Sequence, residues 1–161
     1  MAEQQSNAPM FLMIWFALLM TVTGMIGVSA FLVHQQNGAI VWEFGEVDNM
    51  PLVAGLYVVA ISLFAASRMI PSRMASQVDP QSIQHQTQLS GEIRAKLFVP
   101  YIIRIVLLET IAVFGMMLAI LESDFMVGVP LFIFSLISIL GAMPSDGLLK
   151  RMALSRANVV V

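Results

Sequence analysis

The chain has 161 residues, of which 58% are hydrophobic and only 11% are charged, with a formal net charge of −2. A soluble domain usually carries about 25% charged residues, so this composition excludes an ordinary soluble domain. Cysteine is absent, which excludes disulfides, thiol nucleophiles and thiolate metal sites. The length suits one membrane domain of four helices with short connections.

Apolar runs of membrane-spanning length recur four times and predict an all-α, integral membrane four-helix bundle. The predicted helices cover about residues 10–33, 50–70, 97–121 and 125–143. The first is read as a retained helix, because no Lys or Arg precedes it and its apolar run is too long for a cleaved signal peptide. Pro71 is expected to end the second helix, and Pro100 to lie in the first turn of the third. The remaining segments are a loop at 34–49, a long connection at 72–96, a turn at 122–124 and a tail at 145–161.

The basic residues predict the orientation of this bundle. Seven of the eight fall at or beyond the helix ends that face the N-terminal side: Arg68, Arg73, Arg94, Lys96, Lys150, Arg151 and Arg156. The loop at 34–49 and the turn at 122–124 contain acids but no Lys or Arg. Positive residues favour the cytoplasmic side, so both termini and the long connection are predicted to be cytoplasmic, in a bacterial inner membrane.

No motif indicates an enzyme, a cofactor or a metal site. The chain contains no phosphate-binding glycine loop, no His-Glu-x-x-His helix and no Gly-x-Ser-x-Gly elbow. Glu43, Glu46 and Asp48 lie close together, but without regular ligand spacing they are read as a solvated acidic loop. We therefore interpret the chain as a non-enzyme whose partners are the lipid bilayer and other membrane subunits, not nucleic acid.

Small residues predict where helices approach closely. Gly24 and Gly27 give the first helix a small-residue side, and small residues allow another helix to come near in lipid. This side is predicted to support a homo-oligomer or contact with other membrane subunits, and Gly115 is a further helix-packing position. The serines of the fourth helix, Ser135 and Ser138, can bond to their own backbone or to a neighbouring helix.

Glu109 is the one carboxylate inside a predicted span, where a charge is costly and calls for a partner or a purpose. Three alternatives remain open. It is a neutral carboxyl bonded to a hydroxyl on another helix, or it pairs with Arg104, or it binds and releases a proton or sodium ion. Five residues along a helix rotate the side chain by about 140°, so an Arg104–Glu109 contact within one helix is poor, and one between copies is easier. Arg104 can instead extend to the headgroups.

The sequence around Glu109 resembles the ion-carrying helix of rotary ATPase proteolipids, the c or K subunits. The matching residues within LLETIAVFGMMLAIL, residues 107–121, are Glu109, Thr110, Phe114, Gly115 and Ala119. The resemblance implies that Glu109, with Thr110 beside it, binds the transported ion. Two functions follow as predictions. The first is a small structural or interaction subunit of an oligomeric membrane assembly, and the alternative is a proton- or sodium-handling, proteolipid-like subunit.

Overall fold

A computed structural model describes residues 7–40, 42, 47–75 and 89–154 of the chain, and this part is all-helical. It contains five helices: α1 (Asn7–Asn37), α2 (Met50–Ala75), α3 (Gly91–Leu121), α4 (Phe125–Leu140) and α5 (Asp146–Leu154). Three of them, Pro9–Asn37 within α1, all of α2 and all of α3, are long and apolar enough to cross a membrane. The prediction of an all-α protein is confirmed, with three helices that could span a membrane.

The fourth apolar helix is shorter than the others. With 16 residues, α4 rises about 24 Å, whereas the hydrocarbon core of a bilayer is about 30 Å thick. Asp124 caps its start, where Oδ1 accepts a hydrogen bond from the Met126 N–H at 2.8 Å. The helix ends at Leu140, earlier than predicted, because the chain tightens into a turn in which the Ala142 N–H donates to the Ile139 carbonyl at 3.0 Å.

The prediction that Pro71 ends the second helix is wrong. Helix α2 continues through Pro71 to Ala75, and both of these residues are buried. Proline removes one backbone hydrogen bond. The last turn of α2 lies beside α5, so burial of apolar surface there offsets that loss.

The third helix contains the predicted span, about 97–121, but starts earlier. Helix α3 begins at Gly91 after the cap residue Ser90, whose hydroxyl accepts a hydrogen bond from the Ile93 N–H. Pro100 is therefore inside α3 rather than in its first turn. Its neighbours Leu97 and Tyr101 are fully buried, so packing holds the helix together across the missing donor. Residues 72–75 and 91–96 of the predicted connection are helical, and its residues 76–88 lie outside the described part.

Helix α3 is the centre of the fold, because it packs against all four other helices of the described chain. Large side chains along its length are fully buried, namely Leu97, Tyr101, Ile105, Leu108, Ile111 and Leu118. By contrast, only 11% of the most apolar stretch of α1 is buried, against 39% for α3. The outer helices therefore leave most of their apolar surface uncovered.

Contacts at one end of the bundle join the start of α1 to the start of α3 and to α5. The Phe11 ring packs against the Phe98 and Tyr101 rings, with centroids 5.2 Å and 5.1 Å apart. Arg94 Nη2 lies 2.9 Å from Asp146 Oδ1, and this ion pair connects α3 to α5.

Contacts at the opposite end join the end of α1 and the start of α2 to the turn between α3 and α4. Asn37 Nδ2 donates to the Ser123 carbonyl, and the Asp48 N–H donates to Glu122 Oε2 at 2.9 Å. Helix α4 therefore starts at this end and returns the chain to the end at which α1 begins.

The tail forms α5, and its apolar side packs on the protein. Leu149, Met152 and Ala153 are buried, next to α2 and α3. Lys150 and Arg151 belong to the same helix, so the described part of the tail adds its basic residues to the end that holds Arg94. Arg156 lies outside the described residues.

Candidate functional site

Several polar side chains between the helices donate to backbone carbonyls. Four such bonds connect different helices, or a helix to the turn after α4: Trp15 Nε1 to Ile139 O (2.8 Å), Tyr57 Oη to Val127 O (3.0 Å), Tyr101 Oη to Ala142 O (3.2 Å) and Ser135 Oγ to Leu108 O (2.7 Å). Of the two serines considered in the fourth helix, Ser135 thus bonds across to α3. These donors hold the bundle together.

Other hydroxyls bond to their own helix, including those of the buried Ser29 and Ser67. Thr21, Thr23 and Thr110 each donate to the carbonyl four residues earlier, at 2.8–3.0 Å. Thr110 was a candidate ion-binding residue beside Glu109, but its hydroxyl proton is directed to Val106 O. Its oxygen still has lone pairs for a cation or a proton donor.

Glu109 is half-buried on α3. Ile105 and Ala112, which are neighbours of Glu109 on the same helix face, are fully buried. Among the described residues, neither a hydrogen bond nor an ion pair reaches the Glu109 carboxylate. The structure also does not bring Arg104 and Glu109 together, so the predicted charge partner lies in another environment.

Arg104 lines a cavity of about 260 Å³ between α2, α3 and α4. The lining contains two arginines, two serines and apolar side chains: Phe64, Ser67, Arg68, Arg104, Leu108, Phe134, Ile137, Ser138 and Gly141. Among the described residues, no carboxylate lines it. The sequence showed Arg68 near the end of α2 and Arg104 near the start of the third span, which indicates a similar depth. The rotation of each helix about its axis, which brings the two side chains to one cavity, was not readable from the sequence.

The two arginines differ in their surroundings. The Arg68 guanidinium lies over the Phe64 ring, 4.7 Å from its centroid, and Phe64 packs against Phe134 with centroids 4.8 Å apart. Arg104 Nε is buried and has no hydrogen-bond acceptor in the described part of the chain. A buried N–H without an acceptor lowers the stability of the protein. A ligand that accepts a hydrogen bond from Arg104 Nε would therefore stabilise it.

The predicted packing glycines fall into two groups. A Cβ built on Gly24 or Gly27 meets nothing within 4 Å, so both lie on an open side of α1. A Cβ on Gly115 would lie 3.0 Å from the Gly128 carbonyl oxygen, because α3 and α4 touch at this pair. Gly128 was not predicted as a packing position. The signal that identifies it is its position shortly after the Glu122–Asp124 turn, which puts it opposite Gly115 in a tight helical hairpin.

Metal-ligating residues are sparse in the described chain. No group of three or more His, Asp or Glu side chains suited to a metal is present within it. Glu43 and Glu46 of the acidic loop lie outside the described residues, and Asp48 is exposed beside the turn that holds Glu122.

No protein-family model, no curated protein and no solved structure matches this chain.

Proposed function

We propose that the chain is an integral membrane subunit with four membrane-spanning helices, which serves as a structural or interaction component of an oligomeric assembly and not as an enzyme. The observation that carries this proposal is the use of the polar side chains inside the bundle. Trp15, Tyr57, Tyr101 and Ser135 all donate to backbone carbonyls between helices. These groups are engaged in helix packing, which is the role of polar side chains in membrane bundles.

The course of α4 supports a fourth span. It starts beside the end of α1 and runs back towards the end where α1 begins, with 16 residues that rise about 24 Å against the 31 residues of α3. At its C-terminal end, Trp15 donates to Ile139 O and Tyr101 to Ala142 O. Carbonyls at a helix end lack the partners of the helix interior, and in lipid the protein must satisfy them; Ile139 O accepts from the Ala142 N–H as well as from Trp15. The described basic residues flank the helices at this end, which supports cytoplasmic termini in a bacterial inner membrane.

The open side of α1 supports self-association. Exposed residues recur along it three and four residues apart, at Met13, Phe16, Met20, Gly24, Gly27 and Phe31. This spacing gives one continuous stripe on a helix, and the two glycines at its centre allow a second helix to approach closely. A second copy of the chain is the partner we propose for this stripe.

Replacing both glycines tests this function. The variant Gly24→Leu with Gly27→Leu is expected to shift the detergent-extracted protein to a smaller species, because two branched side chains prevent close approach of the helices. The measurement is light scattering on the protein eluting from a sizing column. Gly55→Leu is the matched control, since Gly55 on α2 also has open space around it. An unchanged size for the glycine double variant, or a wild type that is already a monomer, contradicts the proposal.

Glu109 supports a second candidate, a proton- or sodium-handling subunit similar to the proteolipids. Its carboxylate is half-buried within an apolar helix and has no partner among the described residues. A carboxylate of this kind in a membrane is used in many proteins to carry an ion.

Glu109→Gln separates the two candidates. Glutamine has nearly the same shape, so assembly is retained, but it does not titrate. In vesicles with an imposed proton or sodium gradient, the second candidate predicts ion flux by the wild type that Glu109→Gln abolishes. Glu92→Gln, which removes an exposed carboxylate from the same helix, is expected to keep that flux. Equal flux in Glu109→Gln and wild type excludes the second candidate and leaves the structural function.

A further inference from the structure

The cavity between α2, α3 and α4 holds two positive charges, and no carboxylate of the described residues lines it. Arg68 and Arg104 both line it, from α2 and α3 respectively. Arg94 provides the contrast in the same protein, because Asp146 neutralises it at 2.9 Å. Neither Arg68 nor Arg104 has a carboxylate or a hydrogen-bond acceptor among the described residues. Two unpaired guanidinium groups at one cavity favour an anion that accepts several hydrogen bonds.

The cavity also has an apolar wall on the exposed side of α4. Phe134 and Ile137 line it and are themselves exposed, at 37% and 64% of their surface. Arg68 lies seven residues before the end of α2, about 10 Å along the helix axis. The charged part of the cavity is therefore a short distance below the basic end of the bundle, and the apolar part continues along the lipid-facing surface of α4.

We propose that this cavity binds the phosphate of an anionic phospholipid, with Arg68 and Arg104 on the phosphate oxygens and an acyl chain along Phe134 and Ile137. Phosphate is the chemistry that two convergent guanidinium groups recognise, and basic pockets between membrane helices on the cytoplasmic side accept lipid headgroups. Ser138, which also lines the cavity, adds a hydroxyl donor for the same oxygens. The proposal requires membrane insertion but not the self-association proposed above.

The test compares lipids in nanodiscs made of phosphatidylcholine with a minor fraction of phosphatidylglycerol. Native mass spectrometry then counts the lipids that remain on the released protein. The wild type is expected to retain phosphatidylglycerol, and Arg68→Gln with Arg104→Gln to lose this preference by a factor of about ten or more, as removal of charge-assisted hydrogen bonds predicts. Arg151→Gln is the matched control, since Arg151 is an exposed cation outside the cavity at the same end.

A second variant keeps both arginines and reduces the volume of the cavity. Ser138→Leu fills the cavity and is expected to remove the preference for phosphatidylglycerol as well, so the result does not depend on the folding of the arginine variant. Far-UV circular dichroism checks the helix content of each protein.

Three outcomes overturn the proposal. One is equal retention of phosphatidylcholine and phosphatidylglycerol by the wild type. Another is a preference that survives in Ser138→Leu and in the arginine variant. The third is displacement of the lipid by soluble glycerol phosphate at the same concentration, which would assign the site to a free phosphate compound instead.

Discussion

Ser135 shows what a single hydroxyl contributes inside this bundle. It is fully buried on α4, and its Oγ donates to the Leu108 carbonyl of α3 at 2.7 Å. The alternative for this hydroxyl, a bond to its own helix, is what exposed Ser62 does on α2 with the Val58 carbonyl. The sequence left both alternatives open for Ser135, because the choice depends on which side of α4 faces α3.

Ser135→Ala is expected to lower the free energy of unfolding by about 1 kcal/mol, the range of hydrogen bonds between membrane helices. Unfolding in mixed micelles by titration with a denaturing detergent measures the change. Ser62→Ala removes a hydroxyl that bonds within its own helix at an exposed position, so a change near zero is expected there. Equal effects of the two substitutions would show that the bond between α3 and α4 contributes nothing specific.

The arginines mark the limit of residue-level prediction. The positions of Arg68 and Arg104 in the predicted spans put both near the same end of the bundle. This agrees with the cavity that they share. Arg104 was considered as a partner for Glu109 or as a side chain reaching the headgroups, because the sequence shows neighbours along one helix only. The neighbours that decide its environment, Arg68 and Ser138, come from two other helices.

At the scale of elements, the sequence predicted the helices better than their ends. Hydrophobic runs fix where an apolar helix is needed, and α1, α2 and α3 all contain the predicted spans. The ends depend on packing instead. Pro71 and Pro100 are breakers by local rules, yet both are buried inside helices, since contacts of those helices with the rest of the bundle outweigh one lost backbone bond.

The contact between α3 and α4 depends on glycine. A Cβ on Gly128 would overlap the Gly115 carbonyl oxygen. Because this oxygen is a backbone atom, it cannot move away by a change of side-chain rotamer. We expect Gly128→Ala to destabilise the protein by about 3 kcal/mol, the upper part of the usual cost of overpacking. Gly24→Ala is the control: the space around Gly24 is open, and alanine in a helix is favoured over glycine by up to about 1 kcal/mol.

Melting of the two variants in detergent measures this difference, with opposite shifts in Tm expected. A Gly128→Ala protein as stable as Gly24→Ala would mean that α3 and α4 separate without cost, contrary to the close approach at Gly115.

At the scale of the whole molecule, charge and packing lead to the same arrangement by independent routes. The sequence placed the basic residues on one side without any knowledge of contacts. In the structure the start of α1, the start of α3 and α5 meet at one end, which carries Arg94, Lys96, Lys150 and Arg151. The opposite end, where Asp48 meets Glu122, contains no described Lys or Arg. From this distribution of charge we expect an even number of crossings, with both termini on the side of the basic end.

Cysteine labelling tests this topology directly, because the native chain has no cysteine and gives no background. Ala39→Cys and Ala95→Cys are a matched pair of exposed positions at the two ends, and Gly147→Cys reports on α5. With four spans and cytoplasmic termini, an impermeant thiol reagent labels Cys at position 39 in intact cells and labels positions 95 and 147 only after the membrane is opened. Three spans would place positions 95 and 147 on opposite sides, and the Arg94–Asp146 ion pair at 2.9 Å would then not form. If position 95 but not position 39 is labelled in intact cells, the predicted orientation is wrong. If only one of positions 95 and 147 is labelled, α4 does not span the membrane.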